Sequence, residues 1–376
     1  MLQTHPTIDA IDTIEQPTQS AKALGYRMPA EFEPIECVWV VPPHNDETWP
    51  GCFEAAQIQH ADWVDLMRPH VEVKTPGSLG IDTNDSWIRD FGPIFVVKDQ
   101  VTGDRSQVAD SGSQMPVMAR TLRPAPRHLP LACHDFHFNS WGTKYEAVRP
   151  LDDVVPQHLA AKLGLPLWVH DFVLEGGSID VNGKGTVMTT QQCLFNANRN
   201  PWATPEVIEA TIHDALGTSH IIWLPGGIAG DDTDGHIDDV ARFVSPECVA
   251  VVVAPEGHAD HTTTQRNLEA LQKARDQDGE PLHIVGLPTP EPIIYDFPPL
   301  PSVETPGPSP VPASYANFLI ANDAVFVPVF DQATDDVACG VLEKVLPGRS
   351  IVPVRAEHLV IGLGALHCLS MQQPRV

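Results

Sequence analysis

Short apolar runs, each long enough for one buried strand, recur along this 376-residue chain from Cys37 to its end, and that recurrence limits the fold more than any other feature. Cys37-Val38-Trp39-Val40-Val41, closed by Pro42-Pro43, is the first. Ile94 to Val97, Phe172 to Leu174, Thr186 to Thr190, Ile221 to Leu224, Val249 to Ala254, Ser314 to Ile320, Ala324 to Val329 and Ile351 to Val354 follow. Runs of this length bounded by turn formers read as strands. Between them, apolar positions switch to helical spacing over residues 51–67 (Phe53, Ala56, Ile58, Trp63, Leu66, Met67), and helices are also predicted over 205–216, 262–274 and 335–345. Leu359 to Ile361 reads as part of a further strand leading to Gly362. No long break divides the series, so the chain is expected to be one α/β domain over 28–376 behind an N-terminal arm of residues 1–27. Residues 98–130 read as a polar surface excursion. Residues 286–313 hold about ten prolines, which argues against regular structure there.

Charge and cysteine usage narrow the function. A formal charge of −26 argues against nucleic acid or an anionic membrane as partner and favours a cationic ligand, although acidic surfaces also serve solubility. No run approaches the roughly 18 apolar residues of a membrane helix, and the first 25 residues are polar and acidic, so a cytoplasmic location is expected. Seven cysteines, odd in number and scattered, suit a reducing compartment, and none has zinc-knuckle spacing. Assembly into a homo-oligomer stays open.

Four clusters carry chemistry. Asn84-Asp85-Ser86-Trp87-Ile88-Arg89-Asp90-Phe91-Gly92-Pro93 places charged and aromatic groups directly before a strand, where they are expensive to bury without purpose. Leu174-Glu175-Gly176-Gly177-Ser178 puts a carboxylate at the end of an apolar strand. Gly230-Asp231-Asp232-Thr233-Asp234-Gly235-His236-Ile237-Asp238-Asp239 packs five aspartates and a histidine into ten residues. On a strand, His236 and Asp238 would share one face. A divalent cation is the rival reading of that acidic loop, against which stands the missing glutamate at the twelfth position of an EF-hand. Gly362-Leu363-Gly364-Ala365-Leu366-His367-Cys368 offers a cysteine behind two glycines, which admit close backbone approach or positive φ. Cys368 is a nucleophile candidate, and equally a small buried hydrophobe by type.

Together these motifs resemble the signatures of the agmatine deiminase and bacterial peptidylarginine deiminase family: Ser86 to Pro93, Leu174 to Ser178, Thr233 to Asp238 and Gly364 to Cys368, in that order. Smaller echoes are Met28-Pro29-Ala30-Glu31-Phe32-Glu33-Pro34, Phe138-Asn139-Ser140-Trp141-Gly142 and Asn196-Ala197-Asn198-Arg199-Asn200-Pro201. The resemblance implies a pentein fold, a five-bladed α/β propeller of ββαβ units with pseudo-fivefold symmetry around a central site. It also implies hydrolysis of a guanidinium without cofactor or metal. Carried over by position, Cys368 is the nucleophile, His236 the general acid and base, Asp90 and Asp238 the guanidinium-binding pair, and Glu175 the partner acid of His236. Trp87 resembles the aromatic beside the pocket.

The residue types suit that chemistry. A guanidinium is planar and cationic, and two carboxylates can take its N–H groups in fork geometry while leaving its face open to sulfur. Protonation of the departing nitrogen by an imidazole lets the tetrahedral adduct collapse. Two positions depart from the family pattern: Ala365 stands where asparagine is common, and Phe91 where threonine is common. Both bear on the pocket wall and so on the substrate's tail. An ammonium tail, as on agmatine, would want Asp85, Asp232 or Asp234. The carboxylate of free arginine would want Arg89 or Arg199, and a peptidyl-arginine would need an open cleft.

Overall fold

The computed structural model describes residues 7–98, 129–145, 150–299 and 306–376, so the polar stretch at 98–130 lies almost wholly outside the described residues. In chain order the elements are β1 (Tyr26–Arg27), β2 (Ile35–Val40), α1 (Phe53–Met67), β3 (Glu72–Lys74), β4 (Ile94–Lys98), β5 (Leu131–His137), α2 (Val155–Leu163) and β6 (Leu167–Val173). Then come β7 (Asp180–Val181), β8 (Thr186–Thr190), α3 (Pro205–Leu216), β9 (His220–Leu224), β10 (Ala241–Ser245), β11 (Cys248–Val253), α4 (His261–Lys273) and β12 (His283–Pro288). The last are β13 (Ile294–Phe297), β14 (Gly307–Pro310), β15 (Leu319–Ala321), β16 (Ala324–Val329), α5 (Thr334–Val345), β17 (Ser350–Arg355) and β18 (Ser370–Pro374).

This is a mixed α/β fold in which, among the described residues, five sheets repeat one plan. An outer strand pairs antiparallel with a middle strand, which pairs parallel with a third reached through a helix. The trios are β4-β5-β6, β7-β8-β9, β10-β11-β12, β15-β16-β17 and β18-β2-β3. Parallel neighbours need a long crossover, and α1 to α5 supply one each. In the last trio the C-terminal strand pairs with an N-terminal one, Met371 opposite Trp39, which ties the two ends of the chain together. β1 adds to the edge of β4, so part of the N-terminal arm is built into a sheet.

Local signals explain the crossovers. Thr204 caps α3 by accepting from the Val207 N–H, Pro205 takes the first turn, and Gly217 closes the helix in the left-handed region at φ 68°. α1 buries Ala56, Trp63 and Met67 in the same cluster as Trp39 and Val40 of β2.

Two apolar runs do not become strands. Leu359–Gly362 is a 3-10 turn, because Gln59 Oε1 accepts the N–H groups of His358 (3.0 Å) and Leu359 (3.2 Å) and withdraws them from any ladder. Of Ser314 to Ile320, only the end is strand: Ser314 Oγ accepts from Ala316 N and donates to Asp239 O, fixing a turn. Conversely, the proline-rich stretch is not wholly irregular. β12 runs to Pro288, and β13 and β14 form a hairpin in which Pro308 and Pro310, two residues apart, leave the same edge without donors, as a two-stranded ribbon tolerates.

The outer strand of each repeat is entered through a tight turn. Ile88–Phe91 precedes β4, Gly176–Ser178 precedes β7, Ile237–Asp239 precedes β10, the Ser314 turn precedes β15, and the turn holding Cys368 precedes β18. No helix among the described residues is long and apolar enough to cross a membrane.

Candidate active site

Those five turns supply the buried polar groups. Asp90 sits in the Ile88–Phe91 turn, whose tightness requires Gly92: a Cβ there would lie 2.3 Å from Ile88 O. Its Oδ2 accepts from Trp141 Nε1 at 2.8 Å and its Oδ1 from the Gly177 N–H at 3.0 Å. Trp141 reaches it from the turn after β5, where φ is 54° at Trp141 and 85° at Gly142. The chain is therefore strand up to His137 and turn over Phe138 to Gly142.

His236 and Asp238 do not lie on a strand. Asp231 accepts from the Thr233 and His236 N–H groups, Asp234 and Gly235 adopt φ of 67° and 95°, and a 3-10 turn follows. Side-chain hydrogen bonding by a short aspartate competes with the ladder and wins. The two side chains still reach one place. A Cβ on Gly177 would lie 2.6 Å from His236 Nδ1, 2.7 Å from Asp90 Oδ1 and 3.2 Å from Asp238 Oδ2, so groups from two other repeats surround one glycine. His236 Nδ1 is 3.6 Å from Asp90 Oδ1. Among the described residues, neither ring nitrogen of His236, nor Asp238 Oδ1, has a hydrogen-bond partner, and all are buried.

Cys368 completes the cluster. Its Sγ accepts from Asn317 Nδ2 at 3.0 Å and lies 3.5 Å from Asp238 Oδ2. Gly362 and Gly364 serve close approach, since a Cβ would meet Trp49 Nε1 at 2.6 Å or Trp87 Cζ3 at 2.6 Å; the positive φ falls on Leu363, at 70°.

A cavity of about 270 Å³ opens onto Cys368 and Asp90. Trp87 and Trp141 wall its inner end, Phe297 and Pro310 of the β13–β14 hairpin its outer side, and Glu47, Asp85 and Asp232 give it acidity. Among the described lining residues there is no arginine or lysine. Asp234 is not among them: it accepts from Arg199 Nη1, Lys144 Nζ and Asn198 Nδ2. Arg89 and Arg199 are committed elsewhere. Arg89 donates to Gln372 Oε1 and His367 O, Arg199 to Glu175 Oε1 at 2.7 Å and to Thr233 O. Glu175 thus binds Arg199 and makes no hydrogen bond to the His236 ring, although ligating atoms of Glu175, Cys193 and His236 lie within 4.8 Å of one another. Asp238, Asp239 and Cys368 form a second group of that span. A metal in either would have to displace the proton of a cysteine whose thiol burial raises.

Burial and neighbouring charge set the protonation states. Burial pushes Asp90 up to about 6, with His236 opposing it. For His236 burial disfavours the cation, but the Asp90 carboxylate and the Cys193 sulfur outweigh it and hold the imidazole well above its usual range. Burial, then Asp238, Asp239 and Asp90, raise the Cys368 thiol well above its ordinary value, with the Asn317 amide working against them. Burial also acts against ionisation of Asp238, yet the His367 hydrogen bond and charge keep it below the ordinary carboxylate range. Without a ligand, the site holds a thiol and an imidazolium among acids, a field suited to a second cation.

Sequence reasoning missed Glu31, Asn317, Trp141, Cys193 and His367 as contributors. Glu31, Trp141 and His367 lie inside motifs quoted for the resemblance, so position within a motif was the available signal; Asn317 was hidden in a run read as strand.

The family model for Porphyromonas-type peptidyl-arginine deiminase matches residues 27–374. An agmatine deiminase of Pseudomonas aeruginosa is 32% identical over 397 aligned residues, covering 96% of this chain and 99% of the relative. The structure of the agmatine deiminase of Enterococcus faecalis superposes with a TM-score of 0.82 at 28% identity, covering 96% of this chain and 99% of that one. That of C. jejuni agmatine deiminase with substrate bound gives 0.75 at 28% identity, covering 93% and 96%.

Proposed function

Because the chain belongs to the Porphyromonas-type peptidyl-arginine deiminase family, we propose that it hydrolyses the guanidinium of agmatine to N-carbamoylputrescine and ammonia, a step toward putrescine. The observation that carries the choice of substrate is the wall of the cavity. Glu47, Asp85 and Asp232 line it, Arg89 and Arg199 are spent on buried partners, and the β13–β14 hairpin covers one side. An ammonium tail finds acids there, the carboxylate of free arginine finds no arginine or lysine among the described lining residues, and a polypeptide meets the hairpin. Agmatine deiminases among the relatives agree with this reading.

Asp90 and Asp238 grip the guanidinium, and its charge offsets the repulsion that keeps Cys368 protonated, so the thiol gives its proton to solvent through the cavity as substrate enters. The thiolate attacks the guanidinium carbon, forming an S–C bond. His236 gives its proton to the departing nitrogen, the C–N bond breaks and ammonia leaves an S-alkylthiouronium. Neutral His236 then takes a proton from water, whose oxygen attacks the same carbon. The S–C bond breaks, the sulfur takes up the proton of the new hydroxyl to restore the thiol, and the ureido product leaves. Glu175 acts on His236 by charge at close range.

On the same reading the five repeated sheets are the blades of a pentein propeller, with pseudo-fivefold symmetry around the site. The shared strand plan, the pairing of β18 with β2 and the site turn before each outer strand support it.

Incubation with agmatine, free arginine and an arginine peptide, following ammonia and ureido product, tests the function. Agmatine should be turned over with the highest kcat/KM. Preference for the peptide would assign the family's other activity, and binding of agmatine without turnover would make the protein a guanidine-binding receptor.

A further inference from the structure

Asp238 has one carboxylate oxygen unpartnered and the other fixed. Its Oδ2 faces His367 Nδ1 at 2.7 Å, and His367 Nε2 faces Glu31 Oε2 at 2.8 Å. Glu31 is held in turn: Arg242 Nη2 lies 2.9 Å from the same oxygen, Arg89 Nη2 3.6 Å away, and Ile320 N donates to Oε1 at 2.7 Å. Arg242 is braced by Asp180 and by Phe318 O. The side chains of Glu31, Arg89, Asp238, Arg242 and His367 are all at most 3% exposed. Burial works against the Glu31 anion, but Arg242, His367 and Arg89 overcome it and hold its carboxyl far below the usual range.

A network this costly to bury, which meets the site at Asp238 and through Arg89 and His367, the chain neighbours of Asp90 and Cys368, invites a role beyond packing. Asp238 lies 3.5 Å from the nucleophilic sulfur and beside Asp239 and Asp90, so an unrestrained carboxylate there would turn away or take up a proton. With a carboxylate oxygen 2.7 Å from one ring nitrogen and 2.8 Å from the other, the His367 ring cannot rotate without losing both contacts. We infer that Glu31 and His367 are positioning residues for guanidinium binding: Glu31, anchored by Arg242 and Arg89, aims the His367 ring, which clamps Asp238 Oδ2 so that Oδ1 is left to the substrate. Neither touches substrate. This deepens the reading of Asp238 as a guanidinium ligand and rests on it.

His367→Asn is the main test, since it leaves Glu31 with Arg242 and Arg89 and removes only the bridge; Glu31→Gln is the second variant. Both are expected to raise KM for agmatine at least tenfold with a smaller fall in kcat. In a Cys368→Ala background, calorimetry should show agmatine binding weakened by a similar factor in His367→Asn. Glu31→Asp should recover more of the binding than Glu31→Gln. A purely structural role would lower the active fraction, and so kcat, at unchanged KM, and that result overturns the inference. So does a His367→Asn protein that fails to fold, or variants within threefold of wild type. If wild type neither binds nor hydrolyses agmatine, the proposed function has failed first, and the inference falls with it for that separate reason.

Discussion

Cys368 and Asp238 come from turns before different outer strands, 130 residues apart, yet Sγ, in the wall of the cavity, and the buried Oδ2 lie 3.5 Å apart. A sulfur next to a carboxylate that burial cannot neutralise is a poor nucleophile until a cation arrives between them. On the proposed function, substrate binding activates the thiol, and the consequences can be measured.

Alkylation of Cys368 by iodoacetamide is expected to be slow in the free enzyme at pH 7 and to rise toward high pH, because burial and the Asp238, Asp239 and Asp90 charges raise the thiol. The half-buried Cys52, Cys248 and Cys339 can react independently, so the rate is read from the peptide bearing Cys368. Fast modification at pH 6 would contradict a protonated resting thiol.

Asp90 titrates near 6 in the folded protein, above its value of about 3.9 in an unfolded chain. The native state therefore holds this proton more tightly, and between those two values stability from this group declines as pH rises. Activity runs the other way, since the guanidinium needs the carboxylate. The acid limb of kcat/KM should lie near pH 6, and Asp90→Asn should raise the melting temperature at pH 7 while abolishing turnover.

Trp141→Phe keeps the ring wall and removes the donor to Asp90 Oδ2. A hydrogen bond to a charged group contributes about 1.5–3 kcal/mol, so kcat/KM for agmatine should fall by roughly 10- to 100-fold. Steady-state kinetics with the melting temperature as control measures this.

Gly177→Ala would press a methyl against His236 Nδ1 and Asp90 Oδ1, at 2.6 and 2.7 Å. Turnover should be lost by more than about 100-fold, the scale expected when reacting groups are displaced by an ångström. Circular dichroism should remain native.

Burial, with Asp231 adding to it, raises Asp232 to about 6, against the Tyr145 hydrogen bond. At the cavity wall it is placed for the tail, so Asp232→Asn should raise KM for agmatine above pH 7 more than for a guanidine lacking the amine. Equal effects on both would remove Asp232 from tail recognition.

Much of this was legible in the sequence because period and turn chemistry are local. The run from Cys37, the 51–67 helix and the Pro205 to Leu216 helix lie where patterning predicts them, within two residues. Strand alternation predicts that His236 and Asp238 share a face, whereas in the structure they meet beside Gly177 through a 3-10 turn set by Asp231. What was not legible is long-range. Glu31 and His367 are 336 residues apart, and nothing in either neighbourhood announces the other. Asp234 read as a tail acid because it sits in an acidic loop, yet its charge is spent on Arg199 and Lys144. Glu175 likewise binds Arg199, a pairing that spacing alone does not reveal.

The central claim is a covalent bond between Cys368 and the guanidinium carbon. Rapid acid quench of wild type with agmatine, followed by mass spectrometry of the peptide containing Cys368, tests it directly. The peptide should gain the mass of agmatine less ammonia, and the adduct should be absent in Cys368→Ala. Turnover with an unmodified Cys368 peptide at every quench time, or undiminished turnover in Cys368→Ala, would contradict the account.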